Sequence, residues 1–502
     1  MDNLCIIPLL IPFITGIILL TLWFNKESQR LVSILGAIVN FVFASSLLYY
    51  VYHNGMISAQ SGNWVAPFGI TIIIDKLSAV MLWLTSVSLL GVSIYSAVGM
   101  DKNREAFGYH AILHFLIMGI NGVFITGDLF NLYVWFEIIL ISSFFMITLG
   151  GEKAQLEASV KYMTMNLLAS TFFLTGIGIV YGLTGSLNMA DLAMKFQLIE
   201  NRNLVGIVAI FFFVGFGIKS AIFPFYFWLP ASYHTPPPVI SSLFAGLLTK
   251  VGVYSFIRVF SLMFIDDVFI REVVLYSAAF TMISGALGAL VKQDIRRIMN
   301  YLIICHIGYM MMGIGLNNEL SFSGSIFYLI HDIIVKTFLF LIVGIIISET
   351  GKIALKDLGG LAKTHKFLAV LFLIGALSLI GVPPFSGFWP KLLLIQGALE
   401  NGNIPIIIVA LFASFATLYV MMKMWIEIFW KEQTYDIPHK IREEIERRRK
   451  VKYIAVGILC FFILYIGFGA ENIHTLSKSI ASEIDHPEAY IEKVLGIEYL
   501  KK

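Results

Sequence analysis

Long apolar runs separated by short polar stretches dominate the chain. Many runs reach about 20 residues, enough to cross the hydrocarbon core of a bilayer as α-helix. The ten-residue alternation of a membrane barrel strand does not fit them. About fourteen spans follow from this pattern: roughly 3–23, 31–52, 75–98, 107–126, 128–149, 157–182, 203–229, 237–261, 270–291, 296–316, 321–348, 367–398, 403–430 and 452–470. Pro-rich stretches blur the seventh, eighth and twelfth. The pattern predicts an all-α integral membrane protein.

The polar positions between the runs test the count. Loops of odd number carry Lys26, Arg30, Lys102, Arg104, Lys153, Lys292, Arg296, Arg297, Lys352, Lys356, Lys363 and Lys366, and the loop after the thirteenth span adds eight more from Lys431 to Lys452. Loops of even number carry only Lys195, Arg202 and Arg271. A bias of about 20 to 3 obeys the positive-inside rule and places both termini outside. Lys161, early in the sixth span, is expected to snorkel to the basic side. The N-terminus opens with Asp2 and lacks the basic region and small-residue site of a cleaved signal.

Composition narrows the chemistry. The chain is 58% hydrophobic and 13% charged, against about 25% charged in soluble domains. Its net charge of +3 reflects topology rather than a nucleic-acid partner. The mixed run IREEIERRRKVK (441–452) reads as a solvated or headgroup-facing helix. Cys5, Cys305 and Cys460 are scattered without a C-x-x-C, so neither a metal nor an iron–sulfur site is expected. No nucleotide-binding glycine motif occurs. The chain is therefore expected to use no cofactor and to draw energy from an ion gradient or a partner, as a transporter rather than a classical enzyme.

The chain also echoes itself. Asp128 opens one span and Asp294 precedes another, and each is followed by a lysine beside a similar string: Lys219 near PFYFWLP, Lys391 near PFSGFWP. The shift is five spans. Five is odd, so the second unit enters the membrane inverted, the design of secondary transporters. The expected organisation is 1–106 (helices 1–3), 107–262 (repeat 1, helices 4–8), 263–431 (repeat 2, helices 9–13) and 432–502 (basic loop, helix 14 and tail). Each five-helix repeat contains a helix broken by proline: Pro224 and Pro230 in the first, Pro383, Pro384 and Pro390 in the second. Lys219 precedes its Pro-Phe string and Lys391 follows its own.

Charged residues inside the apolar runs are the candidates for chemistry. Glu137 lies nine residues past Asp128, about 14 Å of helix rise and near the midplane. Lys250, His331 and Lys336 sit deep in their spans, with His306 and Asp332 as possible accessories. Charge at that depth is costly and marks an ion or proton route. Burial disfavours the charged form of a lysine, and a nearby carboxylate restores it, so moving one partner switches the other. Histidine relays protons near neutrality. Sodium would prefer oxygens, and lysine is a poor neighbour for it.

The ordered strings DLFNLYVWFE, KSAIFPFYFWLP, HTPPPVISSLFAGLLTKVG, HDIIVKT and VPPFSGFWPK resemble the antiporter-like subunits shared by multisubunit Mrp/Mnh Na⁺/H⁺ antiporters, respiratory complex I and membrane-bound hydrogenases. The similarity covers nearly the whole chain. It implies that Glu137 pairs with Lys219, that Lys250 is the connecting lysine, that His331 and Lys336 form the central relay, and that Lys391 is the terminal group. His234, in the third string, is a further accessory candidate. The resemblance also implies Na⁺ and H⁺ as cargo, a bacterial cell membrane, and membrane partners including large A-type and small C-type subunits. Length and span count suit a subunit without the A-type C-terminal extension. Alternatives are a redox-driven pump subunit, a self-sufficient small-solute transporter and a structural scaffold.

Overall fold

A computed structural model describes residues 2–264, 267–432 and 439–496. The side chains of 439–447, including Lys440, Arg442 and Arg447 of the expected basic loop, lie outside the described residues, as do residues 497–502. The described residues form a bundle of helices with one small β-hairpin, β1 (Ile57–Gln60) against β2 (Thr71–Ile74).

Among the described residues, twelve helices are long and apolar enough to cross a membrane. Two shorter apolar helices, Tyr109–Ile125 and Lys366–Ile380, stand at the fourth and twelfth expected spans. The helices that carry the chemistry are the fifth (Leu129–Thr148), seventh (Arg202–Ser220), eighth (Pro238–Met263), tenth (Ile295–Leu316) and eleventh (Glu319–Thr350). Local chemistry sets their starts. Asp128, Asp294 and Asn318 each accept a backbone N–H of the following first turn, satisfying donors that a helix leaves orphaned. The paired aspartates that suggested a repeat are thus helix caps.

Burial divides the bundle. The eighth span is wholly enclosed and the tenth and eleventh nearly so, whereas in the first, second and sixth most residues are not fully buried. Without a hydrophobic force between helices in lipid, close backbone approach takes over. A Cβ on Gly285 would lie 2.2 Å from the backbone nitrogen of Cys305, which is why a small residue is needed between the ninth and tenth spans.

The two halves share a pattern of backbone bonds. Leu129 donates to Leu187 and Met189 to Gly127, and the same pair recurs as Ile295 to Ile353 and Leu355 to Gln293. At the breaks, Ile222 donates to Gly217 and Phe225 to Ile222, mirrored by Val382 to Leu377 and Phe385 to Val382. The unwound segments are 221–227 and 381–387. They contain Pro224, Pro383 and Pro384. Pro230 and Pro390 do not break a helix: each is the third residue of the next one, Trp228–Ser232 and Phe388–Glu400, where the missing N–H would be orphaned anyway.

Loop contacts follow parity. Lys26 reaches the carbonyl of Lys102, Arg104 pairs with Glu152, and Lys431 reaches the carbonyl of Lys356, joining odd loops. Asn188 donates to Thr71, Asn318 to Asn401, and Ser58 to the carbonyl of Lys493, joining even loops and the tail. The tail forms two helices, Ala470–Asp485 and Glu488–Leu495. Lys76 ties the first of them down through Glu483 at 2.9 Å.

Candidate functional site

The enclosed eighth span is the hub. Lys250 lies between two π-helical turns, Phe244–Leu248 and Phe256–Phe260, a feature that recurs at functional sites. Two glycines let neighbouring helices close on it. A Cβ at Gly252 would meet Ser220 Oγ at 2.4 Å, and one at Gly246 would meet Thr337 Oγ1 at 2.2 Å. The eighth span therefore bridges the seventh, which carries Lys219, and the eleventh, which carries His331, Asp332 and Lys336.

Asp332 is the shared anion. Lys250 Nζ lies 2.7 Å from Asp332 Oδ2, and His306 Nδ1 lies 3.5 Å from Oδ1, all fully buried. Lys250 also donates to the Ala245 carbonyl at 2.7 Å. The sequence places Asp332 only among the possible accessories. The missed signal is its spacing from Lys336, i to i+4, which puts both on one helix face. Lys336 itself donates across to the Leu302 carbonyl at 3.0 Å.

From Asp332 a chain of contacts runs to Lys391. Tyr328 Oη sits 2.9 Å from His306 Nδ1. Tyr328 and Tyr309 stack with ring centroids 5.2 Å apart and planes 7° apart. Lys391 Nζ stands 5.1 Å from the Tyr309 ring centre. The two tyrosines and Thr417, 3.5 Å from His306 Nε2, are site residues that sequence reasoning missed. Buried tyrosines in an aromatic-rich chain carry no distinguishing pattern. His331 lies beside this chain, with Nδ1 2.8 Å from Ser386 Oγ inside the second break. Its Nε2 is buried without a hydrogen-bond partner among the described residues.

The two breaks treat their lysines differently. Lys391 reaches back to donate to the Ile380 carbonyl at 2.7 Å and to Leu379 at 3.3 Å, so freed carbonyls hold its ammonium. By the recurring bond pattern, residue 379 is the counterpart of Lys219. In the first break the corresponding role goes to Trp228, whose Nε1 donates to the Ile218 carbonyl at 2.9 Å. Lys219 instead lies 4.7 Å from the Phe136 ring centre, in a small cavity also lined by Tyr162, Asn166, Trp228 and Leu248.

Two expected neighbours are displaced. Glu137 makes no ion pair with Lys219: one carboxylate oxygen is buried without a hydrogen-bond partner among the described residues, and the ammonium is directed to the adjacent Phe136 ring instead. His234 is not in the row. Its Nδ1 bonds the Pro230 carbonyl at 2.9 Å and its Nε2 faces Arg297 at 3.3 Å, on the basic side. Burial, then the Arg297 charge, push that imidazole below its ordinary value.

Proline-broken helices and buried lysines sharing few carboxylates define this bundle as an ion-translocating class of membrane protein. Residues 126–417 match the family described as NADH:quinone oxidoreductase/Mrp antiporter, transmembrane. The chain belongs to that family. It is 42% identical over 498 residues to the D-type subunit of the Na⁺/H⁺ antiporter of Alkalihalophilus pseudofirmus, covering 99% of this chain and 100% of that one. Its fold is similar to a chain of the Mrp complex from Dietzia sp. DQ12-45-1b, with a TM-score of 0.91, 29% identity and 99% and 100% coverage. A chain of respiratory complex I from Thermus thermophilus shares the fold alone, with a TM-score of 0.81, 22% identity and 96% and 99% coverage.

Proposed function

We propose that this chain is the D-type subunit of a heteromeric Na⁺/H⁺ antiporter, and that it moves protons along its buried row. The observation that carries the reading is the fully buried Lys250–Asp332 pair at 2.7 Å, with lysines on either side of it. A row in which four lysines (Lys219, Lys250, Lys336 and Lys391) share two carboxylates (Glu137 and Asp332) does not tolerate independent charging. Adding a proton at one site is felt at the next, because burial weakens screening.

The route enters beside Glu137 and Lys219 and crosses the small cavity to the π turn below Lys250. Asp332 receives the charge change and passes it to Lys336 and to His306. The Tyr328–Tyr309 stack and His331 then lead to Lys391 at the second break. Tyrosine hydroxyls both donate and accept, so they carry a proton without holding it. Glu137, beyond ion-pair distance of Lys219, acts by field, and its approach is the switch. Both termini face outside, and the basic loops face the cytoplasm of a bacterial cell. Partners are the large A-type and small C-type membrane subunits, and Na⁺ and H⁺ are the cargo.

Everted vesicles carrying the complex with Lys219→Ala test the reading. Na⁺-dependent proton movement is expected to fall by roughly 100-fold, the scale of one positioned proton-transfer group, with assembly unchanged. Near wild-type exchange in an assembled complex would sink it. Proteins that co-purify in mild detergent separate the pump reading: iron–sulfur or flavin subunits would favour it.

A further inference from the structure

A crevice of about 430 Å³ opens on the basic face, away from the buried row. It lies between the start of the sixth span, the end of the seventh-span break with the short helix and turn after it, and the turn joining the ninth and tenth spans. Small side chains, Ala154, Ala158 and Ala231, leave the room. The charged and imidazole side chains that line it are Glu157, Lys161, His234, Lys292 and Arg297.

The charges on that lining are unbalanced. Lys161 is already matched by Glu157 at 2.5 Å. Lys292 lies 5.8 Å from the Tyr301 ring centre, and Arg297 faces His234 Nε2. Neither has a carboxylate within ion-pair distance among the described residues. The His234 imidazole commits its Nδ1 to the Pro230 carbonyl, so Nε2 accepts from Arg297 and adds no charge of its own. Two cations are thus left to face the crevice at the edge of the membrane. Phe227, in the crevice lining, is 56% exposed, and Val160 and Val291, next in sequence to Lys161 and Lys292, are 62% and 73% exposed.

We propose that this crevice binds the phosphate of an anionic phospholipid, with Lys292 and Arg297 on the headgroup and the acyl chains along Phe227, Val160 and Val291. Arginine matches phosphate with paired donors, and basic pockets between spans on the cytoplasmic side suit anionic headgroups. A free phosphate would use the same cations but not the apolar flank. Phe227 ends the break after Lys219, and Pro230 and His234 follow it, so a bound lipid ties that stretch to the ends of the ninth and tenth spans. The site stands on its own geometry and does not require the proton route.

Native mass spectrometry of the purified multisubunit complex, released from nanodiscs of equal phosphatidylglycerol and phosphatidylcholine, tests this. The wild type is expected to retain phosphatidylglycerol selectively. The complex with Lys292→Gln and Arg297→Gln is expected to retain one phosphatidylglycerol fewer, and the pair Lys292→Arg and Arg297→Lys to retain it. The single exposed-site variant Arg297→Gln, expected to hold the lipid less well, keeps the test readable if the double variant fails to assemble. Equal retention by wild type and both Gln variants overturns the proposal. So does equal retention of phosphatidylcholine, displacement by inorganic phosphate alone, or a neighbouring subunit that shields Thr235→Cys from maleimide in lipid-stripped complex.

Discussion

Taking the carboxylate from Asp332 leaves the Lys250 ammonium buried with only the Ala245 carbonyl to hold it. Breaking a buried pair by removing one partner costs about 3–5 kcal/mol. Asp332→Asn is therefore expected to lower the melting midpoint of the assembled complex and to abolish exchange. Lys250→Met with Asp332→Asn should recover much of the stability but none of the transport, a non-additivity that a double-mutant cycle reads directly. If the double variant is as unstable as the sum of the singles, the two residues are not energetically paired. Tyr328→Phe removes a hydroxyl 2.9 Å from His306 and is expected to slow exchange while leaving assembly intact. At this scale the sequence is a good guide to which residues are buried and a poor one to which touch. Lys219, Lys250, Lys336 and Lys391 stand out because lysine in an apolar run is costly. The centrality of Asp332, the Tyr328–Tyr309 bridge and the gap between Glu137 and Lys219 depend on how separate helices pack, which no local pattern records.

The two proline-broken helices repeat a backbone pattern but not a side-chain arrangement. Gly387, inside the second break, shows why the element is sensitive: a Cβ there would lie 2.0 Å from the Ser378 carbonyl and 2.9 Å from His331 Nε2. Gly387→Ala is expected to displace His331 and cut exchange, whereas Ala at Gly402, whose Cβ would meet nothing within 4 Å, should cost only the left-handed backbone penalty of about 1–2 kcal/mol. Exchange rates of the two variants in assembled complex compare them; equal rates would remove the break from the route. The strings PFYFWLP and PFSGFWP locate both breaks in the sequence. They do not reveal that Pro230 and Pro390 start helices, because a proline in a first turn and one in a break look alike without their hydrogen bonds. Nor do they show that Lys391 folds back to the position corresponding to Lys219, since a long side chain crosses a break that sequence spacing treats as distance.

Across the whole molecule, the alternation of loops was the most legible feature. The bias of lysine and arginine to odd loops fits a bundle in which odd loops touch odd and even touch even. The three native cysteines are buried, so single exposed cysteines give a clean readout of sidedness. Lys352→Cys and Arg104→Cys are expected to react with an impermeant maleimide only in everted vesicles, and Glu200→Cys and Asn401→Cys only in right-side-out cells. Mixed labelling would break the proposed orientation. The tail was legible in the sequence only as a segment after the fourteenth span. Its two helices are held by Lys76, at the head of the third span, and by Ser58 of the second loop, contacts made over more than 400 residues of chain. The central claim, that protons travel through the buried row, meets its most direct test at the middle of that row. Lys336→Met keeps length and apolar packing while deleting the charge. In proteoliposomes of the assembled complex, simultaneous H⁺ and Na⁺ fluxes should fall together by roughly 100-fold. Wild-type proton flux in that variant, with the complex intact, would contradict it.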